Sequence, residues 1–179
     1  NGLVGIGHDI TLRKRAEQIQ WVLLKISNAV MITDELGQLF EKIRTLLGTL
    51  LDTTNFYIAF YDETDETLSI PYLKDEKDDI VQWPAGKSAT GYVIKNKRSL
   101  LIDKDDIEML NQQGVIEIIG EPCLMWLGVP LVVNEKAIGA LVIQSYESTT
   151  AFSLKDVEML EFVSRQLSLS IQRKKAEQE

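Results

Sequence analysis

One cysteine and one histidine are all that this chain of 179 residues contains of either, and the shortage removes whole classes of chemistry. The single thiol, Cys123, has no partner for a disulfide within the chain, which fits a reducing compartment. The single imidazole, His8, cannot supply a metal triad or a Ser-His-Asp relay. Positive charge is scarce as well: 19 Lys and Arg stand against 27 Asp and Glu, a net charge of −8. A nucleic-acid interface needs the opposite balance, so nucleic acid is not an expected partner. The apolar runs stop far short of the roughly 20 residues that span a bilayer, and no secretory leader pattern opens the chain. The expectation is a cytoplasmic domain without membrane contact.

What is present suits one domain with a full core, since 45% of the residues are hydrophobic. The densest apolar stretch is Cys123 to Tyr146. Two β-branched arms flank a polar break at Asn134-Glu135-Lys136, the pattern of a β-hairpin. Both arms are apolar almost throughout, so both faces of the sheet should be covered. Gly128, Gly139 and Pro130 mark bulges or close approaches within it.

Taken from its start, the chain reads as a short strand at Gly2 to His8 followed by a helix. Ala16, Ile19, Leu23, Ile26 and Val30 fall three and four apart, an a/d seam of the kind that pairs helices. Trp21, Leu24 and Met31 lie off that seam and form a second apolar face. Asp34 is expected to cap a further helix bearing Leu36, Leu39, Phe40, Ile43 and Leu47. Asn55 to Tyr61 and Thr67 to Tyr72 read as strands, and Lys74 to Asp79 as a charged loop. Gly86 to Gly91 leads into a short helix through Tyr92, and Ser99 to Ile102 is a brief strand. Asp105 and Glu108 resemble a capping box, whereas Gly114 to Gly120 is ambiguous between helix and strand. The last helix opens on Ser153 and Asp156 as a capping box, with Phe152 and Val157 as a hydrophobic staple. One of its faces carries Val157, Leu160, Val163, Leu167 and Ile171. With the first seam, the residues Val157, Leu160, Leu167 and Ile171 suggest a parallel homodimer built on the terminal helices. Arg13-Lys-Arg-Ala-Glu-Gln18 returns near the other end as Arg173-Lys-Lys-Ala-Glu-Gln178, as though one type of connector helix entered and left the domain.

Two familiar chemistries fail on spacing. Gly86-Lys87-Ser88 resembles the end of a phosphate-binding loop, but Val81 stands where the first glycine belongs. Asp103, Asp105, Asp106 and Glu108 resemble a calcium loop, but Ile107 and Glu108 occupy a ligand position and the turn-glycine position. No metal site and no catalytic set is expected.

The order of elements, with Gly86 to Asp103, Leu127-Gly-Val-Pro-Leu, Ala137-Ile-Gly-Ala-Leu and Phe152-Ser-Leu-Lys-Asp, resembles a GAF domain. The likeness begins near Trp21 and gives the division 34–172 for that domain, with 13–33 and 173–179 as entering and leaving connectors. Gly5-Ile-Gly-His-Asp-Ile-Thr-Leu-Arg-Lys-Arg-Ala-Glu resembles the final strand and exit of a PAS domain, which assigns 1–12 to such a tail. A PAS domain before a GAF domain is similar to the arrangement in sensor histidine kinases and diguanylate cyclases. The resemblance implies a non-catalytic sensory module with its kinase or cyclase output in the same chain. It also implies an α+β fold: a central antiparallel sheet of about six strands, terminal helices on one face, and a pocket under short helices and loops on the other.

Within that frame the expected ligand contacts are Trp83, Thr90, Tyr92, Asp103 and Trp126. The aromatic residues offer apolar area with a polar tip, Thr90 stands near a helix start, and Asp103 can accept from an amine or hydroxyl. The small molecule is unidentified. The alternative is a GAF domain that only dimerises and relays through its helices. A cyclic-nucleotide-binding GAF domain matches less well: Phe152 and Asp156 fit its signature, but Ser145-Tyr146 replaces Asn-Lys and Val157 replaces Glu. GAF domains that reduce methionine sulfoxide use several cysteines, and those that attach a bilin pair cysteine with histidine. Here Leu124 follows Cys123, which therefore reads as a core thiol.

Overall fold

The structure is a computed structural model that describes residues 2–178, with side chains described from Asp9 onward. The elements run α1 (Gly2–Ile32), α2 (Leu36–Leu47), β1 (Asn55–Asp62), β2 (Thr67–Lys74), β3 (Gln82–Pro84), α3 (Ala89–Asn96), β4 (Leu100–Asp103), α4 (Lys104–Gln112), β5 (Met125–Val133), β6 (Lys136–Ser145) and α5 (Leu154–Glu177). All strand pairs are antiparallel, in the order β3-β2-β1-β6-β5-β4. The fold is α+β, with the six-stranded sheet the sequence leads one to expect.

Strand alternation divides the core in two. Phe56 and Ile58 of β1, Leu127 and Val129 of β5, and Leu141 and Ile143 of β6 face α1, α2 and α5. Tyr57, Ala59, Trp126, Ala140 and Val142 point the other way, toward α3, α4 and the adjoining loops. Each fully buried aliphatic side chain in these layers stabilises the fold by about 1.5–3 kcal/mol. The hairpin arms are covered on both faces for this reason. Their turn is tight: Asn134 (φ 49°) and Glu135 (φ 65°) both take the left-handed conformation of a type I′ turn. Gly139 admits β1 so closely that a Cβ would overlap the Ala59 carbonyl oxygen.

Several boundaries differ from the sequence reading. The expected strand at Gly2 to His8 is the first part of α1. Among the described residues no strand pairs with it, so intrahelical bonds satisfy its backbone; the side chain of His8 lies outside the described residues. Asp34 does not cap α2. Glu35 is extended (φ −102°, ψ 126°) and is itself the N-cap, which starts the helix one residue later. The box at α4 is Asp103 with Asp106, not Asp105 with Glu108, because β4 ends at Asp103 and fixes the frame. The box of Ser153 and Asp156 opens α5 as expected.

The helix seam is taken up within one molecule. Ile26, Val30, Leu160, Leu167 and Ile171 are buried within the single chain, in the layer between helices and sheet. Ile19, Leu23 and Val157 pack at its margin, and Ala16 is exposed. The seam therefore packs among α1, α2, α5 and the sheet of one molecule. Among the large apolar residues that α1 exposes are Leu12, Trp21, Leu24, Met31 and Ile32, each more than half accessible. The stretch read as a connector, 13–33, thus supplies Val22, Ile26, Ala29 and Val30 to the core. Even its basic repeat is tied down: Arg15 donates to the Leu50 carbonyl (2.8 Å) and Gln18 to that of Thr49 (3.4 Å).

Candidate functional site

On the face of the sheet away from α1 and α5, the side chains do not close completely. They leave a cavity of about 80 Å³. Its floor is Tyr57 of β1, Gln144 of β6 and Trp126 of β5; its walls are Trp83 of β3 and Ser88, Ala89 and Thr90 at the start of α3; its roof is the irregular segment 116–123. Trp126 reaches its place by lying across Gly128, where any Cβ would collide with the indole.

Local sequence explains each wall. Ser88 caps α3 by accepting from the Gly91 N–H (3.0 Å), which sets Thr90 inside the first turn facing β1. There Thr90 Oγ1 meets Tyr57 Oη at 2.8 Å, both groups buried. Burial pushes the Tyr57 phenol well above its ordinary range, against the lowering effect of hydrogen bonding to Thr90 and Trp126. β3 is only three residues long, yet pairing Trp83 with Leu68 lays the indole against the Tyr57 ring, edge to face, at 5.8 Å. The Trp83 indole N–H is buried without a partner, one of two such side-chain atoms among the described residues. Such a group costs about 1–3 kcal/mol and in a cavity wall points to an acceptor supplied from outside.

The remaining wall is acidic. Asp75 accepts from the N–H groups of Lys77 and Asp78 (2.9 Å each), from Gln144 Nε2 (2.6 Å) and from Tyr146 Oη (2.8 Å). Asp78 accepts from the Glu121 N–H (3.1 Å) and so ties the roof segment to the β2–β3 loop. Burial, then the hydrogen bond and charge of Asp75, drives the Tyr146 phenol far up. Cys123, also in the wall, is pushed up to about 11, chiefly by burial and further by Asp75 and Asp78. At neutral pH it is a protonated thiol, a poor nucleophile.

Of the five expected contacts, the structure brings Trp83, Thr90 and Trp126 together around the cavity and leaves two outside it. Tyr92 turns to the margin of the second core. Asp103 spends its carboxylate on the Asp106 N–H (3.0 Å) as the α4 cap. The hydroxyl of Thr90 answers Tyr57 in this structure. Sequence reasoning missed Tyr57, Asp75, Asp78, Gln144 and the roof residues 116–121. Tyr57 was within reach, because it alternates with the core-facing Phe56 and Ile58; Asp75 and Asp78 look like any solvated charged loop.

Phe152 and Asp156, the matches to the cyclic-nucleotide signature, have other tasks: Phe152 is buried in the helix-side core and Asp156 accepts from the Ser153 N–H (2.8 Å). Among the described residues no group of three or more His, Cys, Asp or Glu is placed to hold a metal ion. No described helix is long and apolar enough to cross a membrane.

The family model described as GAF domain matches residues 35–171. The fold is similar to that of the GAF domain of a phosphoenolpyruvate-protein phosphotransferase from Coxiella burnetii, with a TM-score of 0.75 and 15% identity over 90% of this chain and 97% of that one. It is similar to free methionine-R-sulfoxide reductase from Neisseria meningitidis in complex with its substrate (TM-score 0.72, 15% identity, 88% and 90% coverage). It is also similar to residues 122 to 287 of a methyl-accepting chemotaxis protein (TM-score 0.69, 16% identity, 83% and 96% coverage). At such identities the likeness is one of fold. No curated protein matches the chain.

Proposed function

This chain belongs to the GAF domain family, and from that premise we propose that it is a non-catalytic sensory module. It holds a small molecule beneath Trp83 and Trp126 and passes the ligand's presence to its terminal helices. The observation that carries this reading is the cavity with an unanswered indole N–H in its wall. A route for the signal exists in the strands themselves. On β1, Tyr57 faces the cavity while Phe56 and Ile58 support the helices; on β5, Trp126 faces it while Leu127 packs with α5's layer. A ligand that shifts Tyr57 or Trp126 must repack their neighbours, because close-packed layers transmit strain. The lone protonated thiol supports a role without turnover, even though one structural neighbour is a reductase.

The same reading places the module in a signalling protein of the histidine kinase or diguanylate cyclase type, with residues 1–12 as the exit of a PAS domain. It joins a second copy through the exposed Trp21, Leu24 and Met31 face of α1. That face also favours a second reading, in which the module dimerises and relays without a ligand. Native mass spectrometry of freshly purified protein separates the two. A stoichiometric small molecule, released on unfolding, supports the sensor. Uniformly unliganded protein whose cavity admits no small molecule would leave the relay.

A further inference from the structure

The wall chemistry of the cavity narrows what it can hold, on the reading just given that it takes a ligand. Four carboxylates, Asp75, Asp78, Glu117 and Glu121, line it, and no lysine or arginine does. Among the described residues, no ion pair includes Asp75 or Asp78. The ammonium of Lys77 lies 4.8 Å from the Tyr146 ring and is not in the cavity wall. Negative potential at this wall is registered by two neighbours, for the Tyr146 phenol and the Cys123 thiol are both held up in part by the Asp75 and Asp78 charges. An anionic ligand would meet repulsion here, and a cation would be drawn in.

The kind of cation follows from which oxygens are free. Asp75 already takes four donors and Asp78 takes the Glu121 N–H and Tyr146 Oη. A carboxylate offers about four lone-pair sites, so Asp75 keeps its charge while having little room for another N–H. Beside Asp75 and the aromatic surface a cation that needs no hydrogen bonds fits better than a primary amine, which would turn instead to the free oxygens of Asp78, Glu117 or Glu121. The neighbouring surface is aromatic, from Tyr57, Trp83 and Trp126, the surroundings that attract alkylated ammonium groups. The buried Trp83 N–H asks for one acceptor oxygen. By volume, about 80 Å³ at the roughly 10–15 Å³ a water-sized atom requires gives space for about five to eight such atoms.

We propose that the cavity binds a small alkylated ammonium ion bearing a hydroxyl or carbonyl oxygen, its charge set among Tyr57, Trp83 and Trp126 in the field of Asp75 and Asp78 and its oxygen accepting from the Trp83 N–H. Choline is a probe of the right size and chemistry. Its neutral isostere, 3,3-dimethylbutan-1-ol, has the same shape without charge, and 3,3-dimethylbutanoate supplies the anion. Each is titrated into the ¹⁵N-labelled chain while the indole N–H signals are followed, that of Trp83 being assigned by Trp83→Phe. Choline should shift the Trp83 and Trp126 signals saturably, about tenfold or more tighter than the alcohol, and the anion should shift neither. Asp75→Asn and Asp78→Asn, each verified as folded by circular dichroism, should weaken choline several-fold and leave the alcohol unchanged. Two separate carboxylate variants guard against one loop simply rearranging. If the alcohol binds as well as choline, or the anion binds better, the cation inference falls while the ligand-holding reading stands. If no probe moves either signal, the cation inference falls too, and the sensor reading is then decided by whatever mass co-purifies.

Discussion

Tyr57 Oη and Thr90 Oγ1 stand 2.8 Å apart, joining the central strand of the sheet to the first turn of α3 at a point that water hardly reaches. Thr90 Oγ1 is the phenol's partner at 2.8 Å, with the Trp126 indole as a further hydrogen-bonding neighbour of the phenol, so the energies of Tyr57 and Thr90 are coupled. Thr90→Val should strand the phenol and cost about 1–3 kcal/mol. Tyr57→Phe should cost a similar amount, because Thr90 lies in the first turn of α3 with no helical carbonyl behind it and its buried hydroxyl loses its partner. The double variant should lose clearly less than the sum, as urea unfolding of the four proteins would show. Strict additivity would mean that the pair is not a unit.

Cys123 should be slow to react and should make the fold sensitive to alkali. With its pKa raised from 9.0 to about 11, the folded thiol at pH 8 is about a hundredfold less ionised than the unfolded one. After the greater nucleophilicity of the more basic thiolate is counted, it reacts with a disulfide reagent roughly tenfold more slowly. The folded state holds the proton more tightly than the unfolded state. Its contribution is therefore whole below pH 9.0 and is lost as pH rises through about 11. Tyr57 and Tyr146 are raised as well and weaken the fold in the same direction. The difference between wild type and Cys123→Ala in denaturant titrations across that range isolates the thiol. A difference that stays flat from pH 8 to 11.5 would show that the thiol titrates alike in both states.

Glu135 is a non-glycine residue at φ 65° in the β5–β6 turn, next to Asn134 at φ 49°. Asparagine tolerates the left-handed region and glutamate does so poorly, at a cost of about 1 kcal/mol. Glu135→Gly should therefore raise stability slightly, by up to roughly 0.5 kcal/mol, net of the extra freedom glycine gives the unfolded chain. Thermal unfolding would show it, and a lower melting temperature would mean that the glutamate side chain earns its place by another contact.

The sheet was legible because its signals are local. The apolar arms around Asn134-Glu135, and the capping box of Ser153 with Asp156, are set by neighbours within a few residues. β3 was not, since three residues carry no periodicity and Trp83 becomes a strand residue only through its pairing with Leu68. The glycines and β-branched residues from Gly2 to His8 read locally as strand, although the element is continuous with a long helix. Asp103 and Asp105 each precede an acidic residue three positions on, and only the end of β4 decides which is the cap. At the site, Trp83, Thr90 and Trp126 were readable as polar-tipped side chains in the right stretch. Asp75 and Asp78 owe their place to a loop folding back on β6, for which the sequence holds no periodic signal. A heptad seam, finally, states that a helix has an apolar partner without stating whether that partner is in the same molecule.

That ambiguity gives the last prediction. Leu160 and Leu167 are fully buried among α1, α5 and the sheet of one chain, whereas Trp21 and Leu24 on α1 are 53% and 58% exposed. A charge at Leu167 must enter the core without a partner, so Leu167→Glu should unfold the domain rather than separate two copies. Charges at Trp21 and Leu24 meet no such cost, since both side chains already reach solvent. If the exposed stripe is where a second copy docks, Trp21→Glu with Leu24→Glu should yield folded monomers from a wild-type dimer. Light scattering gives the mass and far-ultraviolet circular dichroism the fold. The pair of variants is chosen because they fail differently: loss of fold in the first and loss of mass alone in the second. A wild type that is monomeric at high micromolar concentration, with the double variant indistinguishable from it, would assign the stripe to something other than self-association. A Leu167→Glu variant that folded and merely dissociated would return the seam to the interface and overturn the packing described for α5.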